Sequence, residues 1–206
     1  MSLTPDPSVI GGVSTPDFAR LPDPAALFAR RAARLRRLAD GARLAPYLCF
    51  LADLCTVQAE LAAELPPPVP VDPGLIARNR SFRMPPLDRA ALVASDDMGV
   101  VLNDLLTRAV GIDMPVQARA ALEALRDAPD QDLRGLLDEI AADRVPEGFA
   151  APAAFAAAVL QLAAARQASV LDASQLVPIR TGVCPTCGGR PSVSIVTATQ
   201  HQEGAR

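Results

Sequence analysis

Between residues 24 and 172 the apolar residues of this chain recur at helical intervals, and prolines and glycines cut that pattern into short lengths. A chain patterned this way buries its apolar faces by packing helix on helix, since no alternating strand pattern interrupts the run before residue 180. Asp23 offers a cap and Pro24 a first helical position where its missing N–H costs nothing, so a helix is predicted to about Asp40, stopping at Gly41. Leu27, Phe28, Leu35 and Leu38 mark its apolar side, and Arg30, Arg34 and Arg37 its charged side. The next helix, from about Leu44 to Glu64, is apolar on two faces and is expected to be central. Prolines 66, 67, 68, 70 and 73 then impose an extended connector.

Asp88 can cap a short helix through Val93. Further helices are predicted from about Asp97 to Val110, from Pro115 to Arg126, from a cap at Asp130 through Ile140, and from Pro152 to Asp172. That makes about seven helical segments joined by short loops. After Asp172 the character changes: Val177 and Ile179, the Cys184-Pro185-Thr186-Cys187-Gly188-Gly189 turn, Pro191, then alternating Val193 to Thr197 read as turn and strand. The expected organisation is a flexible arm over 1–22, an all-α domain over 23–173, and the start of a small β module over 174–206.

Composition excludes whole classes of function. The net charge is −3, which removes the usual electrostatic footprint of a nucleic-acid binder. All 20 basic residues are arginine, so neither Schiff-base nor P-loop lysine chemistry is available. The single histidine, His201, nearly rules out a Ser-His-Asp triad, and it reads as a solvated residue of a polar tail. No basic and apolar leader opens the chain, and the longest apolar stretch, residues 150–165, is broken by Pro152 and Gln161. No membrane insertion and a cytoplasmic location are therefore expected, where a CxxC pair stays reduced and serves metal or redox work.

The four cysteines fall in two settings. Cys49 and Cys55 lie on one helix about 120° apart around its axis, too divergent to grip one ion, and read as core residues. Cys184 and Cys187 sit three apart in a turn stiffened by Pro185, with glycines to take up positive φ. Such a turn can aim both sulfurs at one tetrahedral ion, iron or zinc, of the kind held in zinc ribbons and rubredoxin-like modules. It supplies two ligands where a closed site needs four, so the site is incomplete within this chain and is expected to be completed by further sequence or by another chain, as in a homodimer sharing one ion between two knuckles. Two readings stand beside this one: a redox-active dithiol, and a pair of unligated turn cysteines. The Asp96-Asp97 pair reads as a cap and first-turn acid, and Asp138-Glu139 as surface charge. Nothing in the sequence builds an active site.

Three segments together resemble the formate dehydrogenase accessory protein family, FdhE. They are the arginine-rich run Leu27 to Ala39 leading into Tyr47-Leu48-Cys49-Phe50-Leu51, the link Pro85-Pro86-Leu87-Asp88, and Cys184 to Gly188 followed by Pro191 and Val193 to Val196. The resemblance implies a helical domain followed by rubredoxin-like modules with several CxxC pairs holding iron or zinc. It implies a cytoplasmic role in maturing respiratory formate dehydrogenase by contacting its catalytic subunit, without an enzymatic reaction of its own. Cys184 and Cys187 match the first pair of metal ligands, and the chain reads as an N-terminal portion ending after that first knuckle.

Overall fold

Local chemistry at the helix starts explains most of the element boundaries in the computed structural model, which describes residues 20–179 and 182–190. Asp23 caps α1 (Pro24–Ala39) through the Ala26 N–H, and Gly41, at φ +65°, turns the chain into α2 (Ala45–Glu64). Asp72 accepts from Gly74 and Leu75 and opens α3 (Pro73–Ser81). Asp88 caps α4 (Arg89–Val93) and Ser95 caps α5 (Asp96–Ala109). Then follow α6 (Val116–Asp127), α7 (Asp130–Ala141), α8 (Ala150–Ser169) and a 3₁₀ turn at Ala173–Gln175. The described residues are thus mainly helical and contain no strand.

Among the described residues eight helices replace the predicted seven, because α3 takes up what the sequence presents as connector. Its Asp72-Pro73 start is a cap followed by a first-turn proline, but none of its residues is buried, so no apolar period announces it. Two cap assignments also change. Ser95 caps α5 in place of Asp96, and α7 begins after Pro129 with no side-chain cap, which leaves Asp130 in the first turn. The alternating segment Val193 to Thr197 and His201 lie outside the described residues.

Helix α8 is the centre of the molecule, packing against α1, α2, α4, α5, α6 and α7. Alanine dominates it, and the lack of bulk lets neighbouring helices approach on every side. Phe155, Val159 and Leu162 are fully buried on it, and the Phe155 ring meets Phe50 of α2 edge-on at 5.6 Å. Gln58, also buried, donates from Nε2 to the Ala158 carbonyl at 2.8 Å and so ties α2 to α8. The second helix is therefore a core element, as its two apolar faces predict, yet α8 is the hub.

The proline connector is strapped to α8 by side chains. Arg166, only 3% exposed, donates to the Pro66 carbonyl at 2.8 Å and to Asp97 Oδ1 at 3.1 Å, while Gln167 donates to the Val69 carbonyl at 2.8 Å. This ion pair is the reason Asp97 points inward from the first turn of α5. No helix among the described residues is long and apolar enough to cross a membrane.

Candidate functional site

Cys184 and Cys187 lie in a tight turn that closes on itself. The Gly188 N–H donates to the Cys184 carbonyl at 2.9 Å, and the Cys184 N–H to the Gly189 carbonyl at 2.8 Å. Gly188 sits at φ +70°, the left-handed conformation such a turn needs; Gly189 does not share it, so one glycine serves where the sequence offers two. The backbone N–H groups of Thr186 and Cys187 point at the Cys184 sulfur, and that of Gly189 at the Cys187 sulfur. Amides aimed at sulfur in this way stabilise thiolate charge.

The two cysteine side chains hydrogen-bond to each other. The Cys187 thiol donates to Cys184 and, with the Thr186 and Cys187 amides, draws the Cys184 thiol down to about 5 against the opposing effect of burial. Cys187 is pushed up, first by making that bond and then by burial, with the Arg89 guanidinium partly opposing.

The turn is seated on the helical domain. The Leu87 N–H donates to the Thr186 carbonyl at 3.0 Å, and Asn79 Nδ2 donates to the Pro85 carbonyl at 3.0 Å from α3. A Cβ at Gly188 would stand 3.2 Å from Pro85 Cγ, and one at Gly189 would stand 3.4 Å from an Arg89 nitrogen, so glycine permits this close seating. Arg89 in turn donates to Asp143 Oδ1 at 2.8 Å and to the Ile140 carbonyl at 2.9 Å at the end of α7. Pro85-Pro86-Leu87-Asp88, a link in sequence terms, is the platform on which the cysteine turn rests. The sequence hints at this only through Leu87, an apolar residue among prolines and a cap, which is buried here.

The remaining cysteines do not join this site. Cys55 is buried as predicted, and burial pushes its thiol up, with Arg31 and Arg36 opposing. Cys49 is exposed, which corrects the expectation of a core residue. No cluster of three or more metal-ligating side chains occurs among the described residues. Cys184 and Cys187, with their amide-softened sulfurs, suit two corners of a tetrahedral thiolate site, and a full set of four is not assembled by the described residues.

A bundle of helices closed around a central one, with a dithiol turn docked on its side, defines a helical domain bearing a cysteine knuckle. The chain belongs to the FdhE family: the family profile described as FdhE, N-terminal, matches residues 16–181. It is 46% identical to a protein FdhE homolog of Rhizobium meliloti over 204 residues, covering 99% of this chain and 67% of that protein. A protein FdhE homolog of Pseudomonas aeruginosa is 32% identical, over 87% of this chain and 58% of the relative. The crystal structure of the FdhE protein from Pseudomonas aeruginosa superposes with a TM-score of 0.69 at 34% identity, covering 84% of this chain and 60% of that one. The chain thus spans about three fifths to two thirds of the length of these relatives.

Proposed function

We propose that this chain is an accessory protein that binds the catalytic subunit of a respiratory formate dehydrogenase in the cytoplasm and assists its assembly or activation, with no catalysis of its own. The observation that carries this reading is membership of the FdhE family across nearly the whole chain. The helical bundle supplies a rigid body for docking, and the knuckle a thiolate-rich end beside it. The test is co-purification of the full chain with the catalytic subunit, together with recovery of formate dehydrogenase activity in cells lacking the endogenous accessory protein. Recovery with stable co-purification is expected; neither binding nor recovery would sink the reading.

Within that role, Cys184 and Cys187 are the two metal ligands this chain would offer to iron or zinc, the rest coming from a rubredoxin-like module or a second copy. Metal content per chain and oligomeric mass, compared with a Cys184→Ser/Cys187→Ser variant, decide this. About half an equivalent in a dimer, lost in the variant, fits two knuckles sharing one ion. A metal-free monomer argues against ligation by this chain.

The hydrogen-bonded pair, with the Cys184 thiol drawn down and the Cys187 thiol pushed up, supports a second reading, thiol–disulfide exchange. The Cys184 thiolate would attack a partner disulfide, releasing one partner thiol. Cys187, on losing its proton, would then close the Cys184–Cys187 disulfide and release the second partner thiol. Turnover of a model disulfide with a thioredoxin-type reductant would support it, and stoichiometric metal held by both sulfurs would exclude it.

A further inference from the structure

The five arginines of α1 divide into two groups once their partners are seen. Arg31 and Arg36 serve the fold. Arg31 lies over the Phe28 ring at 5.2 Å and donates to Gln161 Oε1, while Arg36 bonds Asp53 Oδ1 at 2.8 Å and Thr56 Oγ1 at 2.9 Å. Arg30, Arg34 and Arg37 are exposed and have no hydrogen-bond or ion-pair partner among the described residues. Their i, i+4, i+7 spacing places them on one face over about 10 Å of helix. The same helix contains no acidic residue, so like charges repel along the stripe, a destabilising arrangement for an isolated helix. The exposed Ala29 and Ala33 beside them leave room for another backbone to come close.

We infer that the Arg30–Arg34–Arg37 face of α1 is a docking surface for an acidic protein segment whose carboxylates follow helical spacing. Charge complementarity selects this occupant. The stripe concentrates positive charge on a chain whose net charge is −3, which disfavours a long polyanion such as nucleic acid. Alanines flank it on one side, and on the other Leu38 is the exposed bulky apolar side chain of α1, too little apolar surface to hold a helix in a lipid surface. On the functional reading above, on which this point rests for the partner's identity, the acidic segment belongs to the catalytic subunit.

The test measures binding of the full chain to the purified catalytic subunit and, separately, to a synthetic alanine-based helical peptide with glutamates at i, i+4 and i+7. Arg30→Glu/Arg34→Glu/Arg37→Glu is compared with the milder triple glutamine variant and with Arg78→Glu/Arg126→Glu/Arg134→Glu as a charge-matched control on exposed arginines of other helices, folding being checked by circular dichroism. The expected result is a loss of about tenfold or more toward both partners in the stripe variants, little change in the control, and weakening with salt. Binding of the peptide but not the subunit would uphold the stripe and remove the assigned client. Unchanged subunit binding by a folded stripe variant would overturn the stripe and leave the client reading standing. Equal binding of a lysine-substituted peptide, or a stripe-dependent preference for anionic vesicles or duplex DNA over the acidic peptide, would overturn it as well. So would peptide binding that emerges only in an Asp6→Asn/Asp17→Asn variant, since that would make the chain's own acids the occupant.

Discussion

Arg166 and Asp97 form the most consequential polar contact inside the bundle, because Arg166 is almost wholly enclosed and leaves its Nε, with Asp97 Oδ2, without a protein partner among the described residues. Removing one member of such a pair strands the other charge. Asp97→Ala is expected to lower stability by about 3 kcal/mol, read as a fall in thermal midpoint. Gly188 bears a different constraint. A side chain there meets both a left-handed backbone and Pro85, so Gly188→Ala should loosen the cysteine turn at a cost of about 1–3 kcal/mol locally, while helix content measured by circular dichroism stays the same. The sulfurs give a pH prediction with a definite sign. Cys184 is held as thiolate above about 5, so in metal-free protein its alkylation by iodoacetamide should rise through that pH and then level off between pH 6 and 8. Cys187, pushed upward, should lag behind throughout that range. Peptide-level mass spectrometry after timed alkylation separates the two, and a rate at Cys184 still climbing steeply at pH 8 would contradict the lowering of its thiol by the Cys187 bond and the turn amides.

At the level of elements, the hub helix sets the hierarchy of stabilities. Phe155→Ala should cost about 3–5 kcal/mol, since the ring is fully enclosed against Phe50, whereas Ser95→Ala at the start of α5 should cost about 1 kcal/mol; chemical denaturation of the two variants ranks them. Most helices were legible because a cap or proline coincides with the onset of a 3.6-residue period, as at Asp23-Pro24 and Asp88. Helix α3 was not, because it buries nothing and its period is silent. Leu38 belongs by pattern to the apolar side of α1 but is 45% exposed, since the buried positions of that helix are Phe28, Ala32 and Ala39. Small alanines fill the close α1–α2 contact, and a count of large apolar residues overlooks them. The cysteine pair announces itself by spacing; its platform does not, because the Leu87–Thr186 bond joins segments far apart in the chain and leaves no local trace.

Over the whole molecule, polar straps and apolar packing divide the labour. The bundle is closed by burial around α8, while hydrogen bonds fix the pieces that bury little: the proline connector through the Arg166 and Gln167 side chains, and the cysteine turn through the Leu87 backbone N–H, with the Arg89 guanidinium beside Gly189. Arg89→Ala removes the guanidinium that stands beside Gly189 and Cys187 and should loosen the turn without unfolding the bundle, seen as faster amide exchange at residues 184–189 with an unchanged global transition. The position of α8 in the chain also bears on how the protein is made. Every helix that α8 touches precedes it, so during synthesis α1 to α7 emerge before the element that joins them. Their apolar faces wait for it, and the bundle consolidates only when α8 has cleared the ribosome. The cysteine turn begins 15 residues after the end of α8, so its platform is in place by the time the sulfurs arrive.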